Sequence, residues 1–74
     1  MDMRRTTATI AGNVVSAMAA QGVSPETLAS ATHIDLPALR ERLESIEEFS
    51  VAELVNVGGF LHVPTESLLE GVAA

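Results

Sequence analysis

Apolar residues in the middle of the chain recur at spacings of three and four, the period of a half-buried helix. The stretch 22–43 carries this pattern twice, with a break at His33. The inward side of the first segment holds Leu28, Ala29 and Thr32. The stripe of the second segment holds Leu36, Leu39, Leu43 and Ile46. The pattern predicts two helices joined by a tight turn, with the rest of their core supplied by the flanking segments.

Residues at the ends of these segments support the same two helices. Ser24 is a good N-cap, and Pro25 follows it at the first helical position, where its fixed φ suits a helix. Asp35 is a second good N-cap. His33 and His62 each precede a β-branched residue at a predicted helix end, and histidine is among the residues enriched in left-handed backbone. We expect helix-end positions for both histidines.

A helix is predicted ahead of this pair, from about Thr7 to Gln21. Its apolar line runs through Ile10, Val14 and Met18, and Ala11, Val15 and Ala17 widen it. Gly22 follows, where a left-handed C-terminal residue is expected. Residues 1–6 are predicted to form a flexible arm in front of this helix.

Two helices are predicted after the central pair. Ser50 and Glu53 form a capping box, so a fourth helix begins at Ser50. Its predicted buried residues are Leu54, Val57 (or Val55), Phe60 and Leu61. For Gly58 and Gly59 inside it, close packing against another helix is favoured over a bend. A short fifth helix and a tail are predicted over residues 64–74, with Gly71 closing the helix.

These elements define an all-α fold. Five helices with short connections and no strand pattern predict one domain over residues 1–74, with a helix-turn-helix at residues 24–46.

Composition restricts the function. The chain has 74 residues and no cysteine, so we expect no disulfide and a cytoplasmic location. The chain has ten acidic residues, four arginines and no lysine, which gives a formal net charge of −6. Such a chain should bind nucleic acid poorly without sequence specificity, unless its cations cluster on one face.

An ordered set of residues points to one family. The set is Gly22-Val23-Ser24, Leu28-Ala29, Ile34-Asp35, Leu39, residues 49–54, Val57, residues 61–64 and Leu68-Leu69. It resembles the Cro/lambda-repressor (XRE-like) helix-turn-helix domain, and is similar to small repressor-like proteins of actinobacteria and their phages. The resemblance implies a five-helix lambda-repressor-like fold, in which helices 2 and 3 form the helix-turn-helix. It also implies a sequence-specific transcriptional regulator that binds double-stranded operator DNA.

The chain departs from the family pattern at several positions. The family usually has glycine where His33 and His62 stand, and often glutamine where Pro25 stands. Acidic residues follow the third helix at Glu44 and Glu47, where relatives often carry glycine and basic residues. These changes leave the fold pattern intact and alter the surface that would meet DNA.

The candidate DNA-binding residues follow from the exposed side of the third helix. In a helix-turn-helix, residues near the start of the second helix meet base edges. The exposed side is predicted to present Pro37, Arg40, Glu41 and Glu44, with Arg42 on its flank. Arg40 is the residue suited to a bidentate contact with guanine, and a weak pair with Glu44 is the competing interpretation.

Arg4 and Arg5 are candidates of a different kind. On a flexible arm they would enter the minor groove, as homeodomain arms do. The alternative is an ordinary flexible start that carries two solubilising charges.

A protein-interaction module is the alternative function. An acidic helix-turn-helix derivative that no longer reads DNA would act as an antirepressor, an antitoxin or a regulator-binding protein. We expect no catalytic activity, metal or cofactor, because no catalytic ordering or metal-ligand spacing is present. A homodimer through residues 64–74 is also expected, since operators commonly mirror a two-fold axis.

Overall fold

The computed structural model describes residues 3–71, with side chains from Thr6 onward. Its helices are α1 (Met3–Gln21), α2 (Pro25–Thr32), α3 (Leu36–Leu43), α4 (Val51–Leu61) and α5 (Thr65–Leu68). These residues contain no strand, which confirms the all-α prediction. The radius of gyration is 11.2 Å, close to the ~11 Å expected for a compact chain of this length.

Helix α1 begins earlier than predicted. It starts at Met3 rather than near Thr7, so the backbone of Arg4 and Arg5 belongs to α1 and not to an arm ahead of it. Thr7 is buried and lies on the same face as Ala11 and Val14. The inward face of the helix therefore starts a turn before the apolar residues that marked it in the sequence. The first two residues of the predicted arm lie outside the described part of the chain.

The core draws on every helix. Its fully buried large side chains are Val14, Leu28, Leu39, Val57, Leu61 and Leu68. Helix α2 packs on both α3 and α4, while α1 packs on α3, α4 and α5. The flanking helices thus complete the core of the central pair, as predicted. Within residues 3–71, no helix is apolar over enough length to cross a bilayer.

Three predicted core residues lie at the surface instead. Ile46 is 64% exposed because α3 ends at Leu43 and Ser45 takes a left-handed φ of 66°. That turn carries Ile46 away from the stripe, and its backbone N–H donates to the carbonyl of Glu41 at 2.8 Å. Val15 is 45% exposed and Phe60 is 38% exposed, because each lies at the edge of its helix's apolar face.

The histidines occupy the predicted helix ends. His33 ends α2 with a φ of 60°, and His62 ends α4 with a φ of 57°. Both residues are left-handed, and each backbone N–H donates to a carbonyl four residues earlier. Gly22 has a φ of 67°, as expected after α1. The sequence prediction for these three positions is confirmed.

Capping is confirmed for two helices and is incomplete at a third. Ser24 Oγ accepts from the N–H of Thr27 at 3.1 Å, and the Ser50–Glu53 capping box is complete. Asp35 is the N-cap residue of α3 but makes no capping hydrogen bond through its side chain. Pro37 occupies the second helical position and has no N–H, so one of the two usual donors to a cap is missing.

The two glycines of α4 differ. A Cβ on Gly58 would lie 2.6 Å from the carbonyl oxygen of Val63, whereas a Cβ on Gly59 would meet nothing within 4 Å. Gly58 is therefore required by a close approach, mainly to the chain that follows α4. Gly59 is not required by any contact within the described part of the chain.

Neutral amide side chains bind the C-terminal carbonyls of three helices. Asn13 Nδ2 donates to the carbonyls of Leu68 at 2.8 Å and Glu70 at 2.7 Å. Gln21 Nε2 donates to the carbonyl of Leu61. Asn56 Nδ2 donates to the carbonyl of Thr32 at 2.9 Å. These contacts join distant parts of the chain and satisfy acceptors that a helix end leaves unpaired.

Candidate nucleic-acid interface

Helices α2 and α3 are joined by a three-residue turn, His33 to Asp35. The left-handed His33 reverses the chain, and the N–H of Ile34 donates back to the carbonyl of Ala29 at 3.2 Å. The buried Thr32 hydroxyl donates to the carbonyl of Leu28 at 2.7 Å. Both hydrogen bonds hold the turn to the end of α2, and a short turn between two packed helices is what a helix-turn-helix requires.

Packing determines which side of α3 is available. Leu39 is fully buried against the core, and Leu36 and Leu43 pack partly against it. The opposite side, which we call the outer face of α3, consists of Pro37, Arg40, Glu41 and Glu44, all exposed. This matches the set predicted from the sequence. The face is uncovered in the described structure and presents one cation and two carboxylates.

Arg40 pairs with a residue outside α3. Its Nη2 atom lies 3.1 Å from Oε1 of Glu26, in the first turn of α2. The two side chains are 53% and 59% exposed. An exposed pair of this kind contributes about 0–1 kcal/mol, so it holds Arg40 only loosely. The weak pair with Glu44, which was the competing interpretation from the sequence, is replaced by this contact between α2 and α3.

Arg42 is held much more firmly. Its Nε atom lies 2.9 Å from Oε1 of Glu53, and its Nη1 donates to the carbonyl of Ala38 at 2.9 Å. Arg42 and Glu53 are each 22% exposed, so water screens them less than the Arg40 pair. Arg42 ties α3 to α4, and its guanidinium is occupied by these partners rather than directed to the outer face of α3.

The surroundings of Glu53 shift the pKa of its carboxyl. Partial burial of Glu53 acts to raise the pKa of its carboxyl. Hydrogen bonds from the Ser50 N–H and from Arg42, together with the positive charge of Arg42, lower that pKa by more than burial raises it. The pKa of Glu53 is therefore lowered from its ordinary value of 4.5. The carboxylate stays ionised at neutral pH and keeps both partners.

Acidic side chains surround the candidate interface. Glu41 and Glu44 share the outer face of α3 with Arg40, and Glu47 and Glu48 are exposed just beyond the helix. Glu48 Oε1 accepts a hydrogen bond from the Thr7 hydroxyl at 3.3 Å, which places it beside α1. Apart from Arg40, the outer face of α3 offers no cation to a phosphate.

Arg4 and Arg5 lie on a different element from the α3 arginines. Both are within α1, and their side chains are outside the described part of the structure. The structure therefore has Arg40 and Arg42 on different sides of one helix. The minor-groove contact was predicted for a flexible arm, and the backbone of Arg4 and Arg5 is helical instead.

The partners of the two α3 arginines were not found from the sequence. Glu26 is fourteen residues from Arg40, and Glu53 is eleven residues from Arg42. These contacts depend on how the helices pack, so helical spacing carries no signal for them. Glu53 was identified as a capping residue, but its second role as the acceptor for Arg42 was not.

Comparisons with protein-family models, with curated proteins and with solved structures gave no match to this chain. Within the described residues, no three histidine or acidic side chains gather closely enough to hold a metal ion. The candidate site is the exposed outer face of α3, which has one loosely held guanidinium among carboxylates.

Proposed function

We propose that this protein is a sequence-specific double-stranded DNA-binding regulator of transcription, with α3 as its recognition helix in the major groove. The observation that carries the proposal is the α2–turn–α3 unit, in which Leu39 is fixed in the core and the opposite side of α3 is uncovered. A helix presented this way fits a groove about 12 Å wide. The order of the five helices and the packing of α2 on α3 support a lambda-repressor-like arrangement.

Arg40 is the residue that reads a base in this proposal. Its pair with Glu26 is exposed and weak, so the guanidinium can exchange a carboxylate for the O6 and N7 atoms of guanine. A bidentate contact of this kind is worth about 1–3 kcal/mol of discrimination against other bases. Pro37 would approach the groove as an apolar contact.

Glu41 supplies the second part of the specificity. A carboxylate on this face accepts a hydrogen bond from the N4 amine of cytosine and repels phosphates elsewhere. Few phosphate contacts are available, so non-specific affinity is low and the salt dependence is shallow. Arg42 stabilises the position of α3 and makes no base contact. Arg4 and Arg5, which lie in the first turn of α1 rather than on an arm, contact the DNA backbone in this proposal.

A second function is favoured by the pairing of the α3 arginines. Both have a glutamate partner, and carboxylates outnumber the single exposed cation on the outer face of α3. This balance suits an acidic protein-interaction module, such as an antirepressor or an antitoxin, that binds a basic partner. The two functions differ in whether Arg40 or the carboxylates dominate recognition.

Selection from a library of random duplexes at low salt tests the proposal. We expect enrichment of a short motif that contains guanine, and loss of the preference at that guanine in Arg40→Ala. Glu44→Ala is the matched control, because it removes a charge from the same face without removing a base contact. Its binding should strengthen slightly and keep the motif. Enrichment of no motif at any salt concentration would reject DNA reading and favour the protein-interaction module.

A further inference from the structure

The contact between Arg40 and Glu26 uses only a small part of the guanidinium. Nη2 of Arg40 donates to Oε1 of Glu26 at 3.1 Å, and among the described residues Glu26 is the one hydrogen-bond partner of Arg40. A guanidinium has five N–H donors, so four of them stay free. The free donors include one complete edge with two N–H groups, which is what a bidentate contact with guanine requires. Arg40 is able to leave Glu26 for a base, but its geometry does not require it to leave.

The carboxylate of Glu26 has no other directed contact in the described structure. Ser24 already caps α2, because its Oγ accepts from the N–H of Thr27 at 3.1 Å. Glu26 accepts a hydrogen bond from Arg40 and from no other described residue, and its side chain is 59% exposed. A carboxylate in the first turn of a helix stabilises that helix modestly through the helix dipole. Apart from this general effect, the role of Glu26 in the structure is its contact with Arg40.

The pair restricts the direction of the Arg40 side chain. An arginine side chain has several rotatable bonds, and a free one at a surface samples many rotamers. Glu26 lies on α2, which packs on α3, so its carboxylate has a defined position relative to the backbone of Arg40. The contact is too weak to lock the guanidinium, but it favours the rotamers that point towards the first turn of α2.

The pair also changes which DNA groups attract Arg40. Arg40 and Glu26 together carry no net charge, and Arg40 is the one cation on the outer face of α3. A phosphate is attracted to a guanidinium mainly by charge, so a neighbouring carboxylate weakens that attraction. The edge of guanine is uncharged and accepts two hydrogen bonds, so its contact with Arg40 depends much less on net charge. Pairing with Glu26 therefore favours guanine over phosphate.

We propose that Glu26 is a positioning residue that stays paired with Arg40 on DNA, directs its guanidinium to guanine and weakens its attraction to phosphates. This inference rests on the DNA-binding function proposed above and names a residue of α2 that sets its specificity. A different role for Glu26 is that of a competitor, which DNA must displace from Arg40. Removal of a competitor would tighten binding and leave the base preference unchanged, whereas removal of a positioning residue lowers the base preference.

The preference for guanine tests the positioning role. It is measured as the ratio of affinities for the selected duplex and for the same duplex with the guanine replaced. Glu26→Ala should lower this ratio by up to about fivefold, the most that an exposed ion pair contributes. Glu26→Gln keeps an acceptor for Nη2 of Arg40 and should retain most of the preference. Glu44→Ala is the matched control, because it removes a carboxylate from the outer face of α3 that is not a partner of Arg40, and it should keep the ratio.

The salt dependence of non-specific binding tests the effect on phosphates. On a duplex without the motif, Glu26→Ala and Glu26→Gln should each add about one phosphate contact. The slope of log K against log salt should then steepen by about 0.9, whereas Glu44→Ala should leave the slope near the wild-type value. In the Arg40→Ala background, Glu26→Ala should change neither the slope nor the base preference, because no guanidinium remains to be positioned. Circular dichroism checks that all variants remain folded.

The possible failures of the proposal differ from one another. A motif that Arg40→Ala relaxes and Glu26→Ala leaves unchanged would overturn the positioning role while the DNA-binding function stands. Tighter binding by Glu26→Ala with the same guanine preference would show that Glu26 is a competitor. Equal effects of Glu26→Ala with and without Arg40 would show that Glu26 acts on α2 and not through the arginine. Selection of no motif by the wild-type chain would reject the DNA-binding function and the role of Glu26 with it.

Discussion

The Nε atom of Arg42 lies 2.9 Å from Oε1 of Glu53, and the same oxygen accepts the backbone N–H of Ser50 at 2.8 Å. One carboxylate therefore completes the N-terminal cap of α4 and anchors an arginine of α3. The contact matters because α3 and α4 share few other contacts in the described structure. The pair therefore adds a direct tie between α3 and α4 to the indirect one that α1 and α2 provide by packing on both helices.

Removal of the Glu53 carboxylate should lower stability more than removal of an exposed one. Glu53→Ala loses a capping-box hydrogen bond and leaves the partly buried Arg42 without its anion. We expect a loss of about 1–3 kcal/mol in the free energy of unfolding, measured by urea denaturation. Glu44→Ala, on the exposed side of α3, is the control and should change stability by less than about 0.5 kcal/mol. Equal losses in the two variants would contradict the dual role of Glu53.

Glu53 should also make stability depend on pH in the acid range. Its pKa is lower in the folded chain than the ordinary value of 4.5. The stabilisation is therefore fully present above pH 4.5, and it is lost as the pH falls through the folded-state pKa. Denaturation of the wild-type chain and of Glu53→Gln should give a stability difference that shrinks below pH 4.5. A difference that stays constant across this range would show that the charge of Glu53 contributes nothing.

Local patterns predicted the five helices and some of their ends. Periodicity located the central pair, and the residues Ser50 and Glu53 located the start of α4, because capping depends on neighbours three residues apart. The predicted start of α1 was wrong, because the apolar pattern begins only at Ile10 and the preceding threonines are weak helix formers, whereas the helix begins at Met3. The predicted burial of Ile46 was wrong because no sequence signal predicts the left-handed backbone at Ser45.

The candidate interface could be predicted only in part. The exposed side of α3 followed from the buried position of Leu39, because helical periodicity determines which residues lie on the side opposite a buried one. The partners of Arg40 and Arg42 did not follow, since they lie on other helices and depend on packing. The sequence therefore predicted which residues α3 exposes, but not that Arg40 is held loosely and Arg42 firmly.

The two glycines of α4 should respond oppositely to alanine. Gly58→Ala places a Cβ against the carbonyl of Val63 and should destabilise the chain by about 1–3 kcal/mol. Gly59→Ala meets open space and gains helix propensity, so it should stabilise the chain by up to about 1 kcal/mol. Thermal unfolding measures both changes. Similar effects from both substitutions would contradict the close approach at Gly58.

Glycine in place of His33 should stabilise the end of α2. His33 has a φ of 60°, a conformation that costs a residue with a Cβ about 1 kcal/mol and costs glycine almost nothing. His33 is exposed, so its side chain contributes little packing that would be lost. We expect His33→Gly to raise the free energy of unfolding by up to about 1 kcal/mol, and His33→Ala to leave it equal or lower. The alanine variant separates backbone strain from side-chain loss, because it removes the imidazole and keeps the Cβ. If both variants destabilise the chain equally, the imidazole stabilises the turn between α2 and α3, and the backbone account of this position is wrong.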